Sequence, residues 1–131
     1  LLTVHVEACE DVKKTIDAIH AEGMQAGLAC NPETDVEEIL PYIGDVEMIL
    51  IMTVHPGFGG QSYIDDCTEK VAVVRKAAEE KGLELLIQVD GGVTLNNVSV
   101  PIEAGADVIV AGSAVYKGNV EENVRKFKHI F

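Results

Sequence analysis

The chain has 131 residues, 47% of them hydrophobic and 24% charged, which is typical of a soluble globular domain. Its net charge of −12 argues against a nucleic-acid partner, which needs a basic patch, but it allows a small phosphorylated ligand bound by backbone amides. No apolar run reaches the roughly 18 residues that cross a membrane, so no membrane partner is expected.

Cysteine usage predicts a cytoplasmic location. Cys9, Cys30 and Cys67 are odd in number, far apart in the sequence and without a CxxC pair. Reduced thiols are therefore expected, and a metal cluster built from cysteines is not.

The first part of the chain predicts a strand, a helix and a second strand. Residues 2–6 are rich in β-branched side chains, and residues 10–22 carry apolar residues at helical spacing. Gly23 follows as the C-cap residue of that helix. Residues 24–30 then predict the second strand.

The middle of the chain predicts a capped helix and the most apolar strand. Thr34 or Asp35 can cap a helix that carries Val36, Ile39 and Leu40, with Pro41 near its end. Residues 46–51 are apolar on both faces, which favours a strand of a parallel sheet that is covered on both sides. This strand leads into the loop 56–61, whose sequence is Pro-Gly-Phe-Gly-Gly-Gln.

The rest of the chain repeats the order of strand and helix. The predicted helices cover 64–81, 94–104 and 120–131, and the predicted strands cover 83–89 and 107–111. Pro101 is expected to kink or shorten the helix that contains it. Five strands thus alternate with helices, and this pattern predicts a parallel α/β fold. Two architectures satisfy it, a doubly wound sheet and part of an eight-fold (β/α) barrel.

Glycine-rich turns follow three successive predicted strands, at the end where parallel α/β proteins bind ligands. Glycine allows a close approach of backbone N–H groups to an anion. The sequence therefore predicts a phosphate site, although each turn taken alone is also explained as a simple turn. Its residues are Gly57, Phe58, Gly59 and Gly60, then Gly91 and Gly92, and finally Gly112 and Ser113.

Asp90 is the strongest single candidate for chemistry. It follows an apolar strand and precedes two glycines, where a carboxylate costs free energy unless it meets a cation or hydrogen-bond donors. The alternative is that Asp90 caps the N-terminus of the helix predicted near Thr94, but Thr94 itself is better placed to do so. Met52 is expected to form an apolar wall of the same pocket. His5 and His55 belong to no HxH or HExxH pair, so neither is favoured as a metal ligand.

At these residues the sequence resembles the ribulose-phosphate 3-epimerase family. The segment 52–61, MTVHPGFGGQ, is the most specific match. Weaker matches in the right order are the segments 5–8, 89–93, 105–107 and 112–114. The resemblance covers the whole chain, from the family's fourth strand to its last helix.

The resemblance implies a parallel (β/α)8 TIM barrel that interconverts D-ribulose 5-phosphate and D-xylulose 5-phosphate. The chain 1–131 would supply about five βα units, the carboxyl-terminal part of one barrel domain. The glycine turns would bind the substrate phosphate, and Asp90 would be both an acid–base group and a ligand of one Zn²⁺, Mn²⁺ or Fe²⁺ ion. A cytoplasmic homo-oligomer is expected.

The chain departs from the family by lacking the strands that carry the second acid–base Asp and the histidine metal ligands. Its first residue, Leu1, lies directly in a strand pattern, so we expect a fragment of a longer protein, inactive unless complemented. Two open sheet edges would then favour aggregation or pairing. The alternatives are another ketose-phosphate epimerase on the same barrel, and a phosphate-binding or assembly module without catalysis.

Overall fold

A computed structural model describes residues 1–130. The strands are β1 (Leu2–His5), β2 (Ala26–Cys30), β3 (Met48–Met52), β4 (Leu86–Asp90) and β5 (Val108–Val110). The α-helices are α1 (Val12–Ala21), α2 (Cys67–Glu80), α3 (Ser99–Glu103), α4 (Ser113–Tyr116) and α5 (Val120–Lys128). Short 3-10 turns occur at Val6–Ala8, Val36–Glu38 and Leu40–Tyr42. No helix in this part of the chain is both long and apolar enough to cross a bilayer.

The five strands form one parallel sheet in the order β1-β2-β3-β4-β5. A doubly wound sheet reverses its strand order at a switch point, and this sheet does not. Because each right-handed crossover steps in the same direction, the helices accumulate on one face, as they do outside a (β/α) barrel. The topology therefore favours the barrel over the doubly wound alternative.

The two faces of the sheet differ in what covers them. Ile49 and Ile51 of β3 belong to the same buried core as Val71 and Val74 of α2, so this face packs against the helices. Strand residues that alternate with these, such as Leu50, point to the opposite face. The register of β3 and β4 makes Met52 and Asp90, the last residues of the two strands, neighbours at the carboxyl edge of the sheet.

The prediction of one helix that carries Val36, Ile39 and Leu40 is wrong. The segment forms two successive 3-10 turns, the first of which is capped by Asp35, whose carboxylate accepts a hydrogen bond from the Glu37 N–H at 3.3 Å. Pro41 explains the interruption, because its ring removes a donor and clashes with the carbonyl four residues earlier in an α-helix. It also disfavours α conformation at Leu40.

The helix predicted over residues 94–104 is much shorter in the structure, only α3. The helix begins at Ser99, which places Pro101 in the first turn, where its missing N–H is not needed. The preceding residues form a turn in which Asn97 Oδ1 accepts a hydrogen bond from the Thr94 N–H at 2.8 Å. The closing helix α5 was predicted to end at Phe131, which lies outside the described residues.

Candidate active site

One cavity of about 420 Å³ lies at the carboxyl ends of β3, β4 and β5. All ten residues that the sequence predicted for a site line it: Met52, Gly57, Phe58, Gly59, Gly60, Asp90, Gly91, Gly92, Gly112 and Ser113. The structure therefore brings the three glycine turns and the carboxylate together. Their chemical roles stay predictions.

Hydrogen bonds from Thr53 link the end of β3 to the end of β4. Its side chain is fully buried, and its hydroxyl donates a hydrogen bond of 2.5 Å to the carbonyl oxygen of Gly91. Its backbone N–H donates to the carbonyl oxygen of Asp90 at 2.9 Å. These two bonds fix the position of Asp90 and of the turn that follows it.

The turn after β4 requires glycine at both positions. Gly91 has φ = +124° and Gly92 has φ = +69°, a region that side chains with a Cβ rarely adopt. A Cβ on Gly91 would collide with the Val54 side chain, and one on Gly92 would collide with the backbone of Tyr63. The two glycines thus allow the loops after β3 and β4 to approach each other at the floor of the cavity.

Residues with unpaired backbone N–H groups line the cavity. Among the described residues, none of the N–H groups of residues 57–61 donates a hydrogen bond, and neither do those of Gly91 and Gly92. The lining residues include no lysine or arginine. An anion in this cavity would therefore be bound by backbone dipoles rather than by a side-chain cation.

Among residues 1–130, Asp90 is the only ionisable residue that lines the cavity. It is the last residue of β4 and pairs with Met52 on one side and Val110 on the other. Burial raises the pKa of its carboxyl group above the usual value, and no hydrogen bond from the described residues opposes that effect. A partly buried carboxylate without a partner is suited to exchange a proton with a ligand.

The described residues do not provide a complete set of ligands for a divalent metal ion in the Asp90 cavity. Within residues 1–130, no group of three or more His, Cys, Asp or Glu side chains is placed to hold a metal ion. Zn²⁺, Mn²⁺ and Fe²⁺ each need four or more ligands, at least three of them usually from protein. Asp90 can be one ligand, but the described residues do not fit a whole metal site.

Comparison with known proteins identifies the family. The model of the ribulose-phosphate 3 epimerase family matches residues 1–116. The chain belongs to this family.

Two relatives of this epimerase-family chain illustrate the match. The ribulose-phosphate 3-epimerase of Bacillus subtilis (strain 168) is 47% identical over 117 residues, which cover 88% of this chain and 54% of that protein. The ribulose-phosphate 3-epimerase of Schizosaccharomyces pombe is 44% identical over 124 residues, which cover 95% of this chain and 53% of that protein. The chain thus spans about half the length of the curated relatives that it matches.

A solved structure supports the fold of the epimerase-family chain. A crystal structure of 3-hexulose-6-phosphate synthase superimposes with a TM-score of 0.71 at 17% identity, covering 98% of this chain and 60% of that one. At this identity the likeness shows the fold alone. The prediction that the chain supplies about five βα units of a parallel (β/α)8 barrel is confirmed.

The histidines lie away from the Asp90 cavity. His5 Nδ1 is 3.2 Å from a carboxylate oxygen of Glu7, and His55 Nδ1 is 2.7 Å from one of Glu33. Both pairs line a second cavity of about 460 Å³ at the ends of β1 and β2. Glu7 also accepts hydrogen bonds from the Asn31 N–H and the Thr34 hydroxyl, so it contacts the loop that follows β2 as well as His5.

The sequence did not single out several residues that shape the Asp90 cavity. Thr53 was not assigned a role, although a polar residue at the end of an apolar strand is a signal for one. Val110 also lines the cavity, and strand register alone could have placed it beside Asp90. Gln61 belonged to the matched motif without a role, and it proves to bridge the glycine loop.

Proposed function

We propose that the complete gene product is an epimerase that interconverts D-ribulose 5-phosphate and D-xylulose 5-phosphate. Residues 1–131 would form the carboxyl-terminal part of its single barrel domain. The observation that carries the proposal is the meeting, in one cavity, of unpaired backbone N–H groups and one carboxylate without a partner. Membership of the epimerase family and the printed names of the relatives support it.

The phosphate end of the substrate would bind to the backbone of the three glycine turns. The predicted contacts come from Gly57, Phe58, Gly59, Gly60, Gly91, Gly92, Gly112 and Ser113. Met52 would pack against the carbon chain, since it lies beside Asp90 at the sheet edge. The absence of a cation among the lining residues favours backbone N–H groups as the donors.

Asp90 would exchange the proton at C3. Its carboxylate takes the proton from C3, the electron pair of the broken C–H bond forms a double bond between C2 and C3, and the π pair of the C2 carbonyl moves to its oxygen, which gives the enediolate. A second group on the opposite face then returns a proton to C3, which inverts that carbon. The described residues of the cavity offer no second ionisable group, so this partner must come from outside them.

Asp90 is also proposed as one ligand of a single divalent ion, Zn²⁺, Mn²⁺ or Fe²⁺. The remaining ligands are not supplied by the described residues, so no step of the reaction is assigned to the ion here. A homo-oligomeric state and a cytoplasmic location are further predictions for the complete protein.

The proposal is tested by following the substrate in D₂O with the complete gene product. NMR should show deuterium entering C3 of D-ribulose 5-phosphate while D-xylulose 5-phosphate forms. Asp90→Asn should slow both processes by at least about a hundredfold, the usual worth of an acid–base group. Asp66→Asn is a matched control, because Asp66 is exposed and forms no cap hydrogen bond.

Two results would contradict the proposal. Deuterium entry by Asp90→Asn at the rate of the unmodified protein would remove Asp90 from the chemistry. Failure of the unmodified protein to act on D-ribulose 5-phosphate, with turnover of another ketose phosphate, would assign it to the neighbouring class of epimerases.

A further inference from the structure

We propose that Gln61 is a positioning residue that holds the glycine loop in the form that binds phosphate. The inference rests on the proposed function, because it concerns the same phosphate site. The Gln61 side-chain Nε2 donates to the carbonyl oxygen of His55 at 2.6 Å and to that of Phe58 at 2.9 Å. One side chain at the end of the loop thereby ties the start and the tip of the loop to each other.

The two bonds identify the role as positioning rather than direct binding. A glutamine NH₂ group carries two hydrogens, and both are used by the two carbonyl oxygens. Since both partners are acceptors, the orientation of the amide is also determined by the chemistry. Nε2 therefore has no hydrogen left for a ligand, and its effect on a ligand must pass through the backbone.

The bond to Phe58 sets the direction of the next N–H group. The loop contains no cis peptide bond, and in a trans peptide the C=O and the following N–H point in opposite directions. With the Phe58 carbonyl turned toward Gln61, the Gly59 N–H points away from it. Gly59 lines the cavity, and its N–H has no hydrogen-bond partner among the described residues.

The composition of the loop 56–61 explains why it needs the two hydrogen bonds of Gln61 to be ordered. It holds three glycines, and Gly57 and Gly60 have φ = +146° and +77°. No side chain packs within 4 Å of the Cβ position at Gly57, Gly59 or Gly60, and Phe58 at the tip is 74% exposed. Glycine loses more conformational freedom on ordering than any other residue, so an ordered anion site here requires bonds from elsewhere.

The experiment compares Gln61→Met with Gln61→Glu in the complete gene product. Methionine matches the size of glutamine without a donor, and glutamate offers acceptors to two carbonyl oxygens. In each variant we expect the KM for D-ribulose 5-phosphate and the Ki of inorganic phosphate to rise about tenfold, the worth of one or two hydrogen bonds. We expect kcat and the thermal midpoint to change little, since Asp90 is held by Thr53 instead.

Gln25→Met is the matched control. It makes the same chemical change at an exposed residue that does not line the cavity, and it should leave both constants unchanged. An unchanged Ki of phosphate in both Gln61 variants would overturn the inference, and so would an equal loss of kcat, KM and stability, which indicates general damage. If the unmodified protein is not inhibited by phosphate at all, the proposed phosphate site itself fails, and the inference fails with it.

Discussion

At the scale of single residues, the site depends on backbone that only glycine can form. Gly92 combines φ = +69° with a Cβ position that overlaps the backbone of Tyr63. Backbone cannot move aside as a flexible side chain can, so strain and overpacking add at this position.

Gly92→Ala is therefore expected to destabilise the complete gene product by about 2–4 kcal/mol. It should also weaken phosphate inhibition, because the turn after β4 must shift. Urea unfolding gives the first value, and the Ki of phosphate gives the second. Gly44→Ala serves as the control, since Gly44 has no positive φ and no atom within 4 Å of its Cβ position, and a change within about 0.5 kcal/mol is expected. Equal stabilities of the two variants would contradict the prediction.

Glu7 gives the fold a dependence on pH. Burial alone would raise the pKa of its carboxyl group, but hydrogen bonds from the Asn31 N–H at 2.6 Å and from the Thr34 hydroxyl outweigh it, so the pKa is lowered. A pKa that is lower in the folded protein contributes stability above the ordinary value of 4.5. That contribution is lost as the pH falls through the folded value.

Glu7→Gln should accordingly lower the urea midpoint at about pH 7 and lower it much less at an acidic pH below the pKa that Glu7 has in the folded protein. Glu10→Gln, which changes an exposed neighbour without a hydrogen bond, should have no effect at either pH. A Glu7→Gln deficit of the same size at both pH values would show that the charge of Glu7 does not matter.

At the scale of elements, α2 organises the loop that follows β2. Lys70 Nζ donates to the carbonyl oxygens of Asn31 at 3.2 Å, Pro32 at 2.6 Å and Thr34. The Asn31 carbonyl oxygen also accepts from the Thr34 N–H at 3.1 Å, so the lysine matters most for the carbonyl oxygens of Pro32 and Thr34. A helix on the outer face thus shapes a loop at the edge where ligands bind.

Lys70→Met should destabilise the complete gene product by about 1–3 kcal/mol, because it leaves the partly buried carbonyl groups of Pro32 and Thr34 without this donor. Hydrogen exchange should become faster in residues 31–34, while α2 itself stays protected. Lys76→Met on the same helix is the control, since the Lys76 side chain is 78% exposed. Comparable effects of the two substitutions would exclude a specific role for Lys70.

Sequence patterns predicted the five strands in the correct order but were less accurate for the helices, because the helix predicted after β2 is replaced by 3-10 turns and α4 was not predicted. Alternating apolar runs and glycine turns are local signals, so the five strands and the meeting of the three turns were predictable. Pro101 was expected to kink or shorten its helix, and that helix is indeed shorter. Its first residue, Ser99, was not predicted, and neither was the replacement of the helix before Pro41 by two 3-10 turns. The four-residue helix α4 follows Gly112 in a segment read only as a turn.

At the scale of the whole molecule, the sheet ends in two strands with one neighbour each. β1 pairs only with β2, and β5 pairs only with β4, within the described residues. Leu1 and Leu2 at the β1 edge are 55% and 44% exposed. Unpaired strand edges with exposed apolar side chains are templates for pairing with another chain.

The isolated 131-residue chain is therefore expected to self-associate as its concentration rises, and to show no exchange at C3 without the rest of the protein. Sedimentation velocity over the micromolar range measures the first property, and NMR in D₂O measures the second. The complete gene product is the control. A monomer at every concentration, or full activity of the isolated chain, would show that the open edges and the missing acid–base partner have been misjudged.

The strand order also has a consequence for folding during translation. Each strand pairs with the strand that comes next in the chain, so every new βα unit that leaves the ribosome meets an edge that is already in place. The barrel can thus be assembled during translation one unit at a time, and only the final closure must wait for the last strand. A ribosome paused after any βα unit should carry a nascent chain whose earlier strands already resist protease.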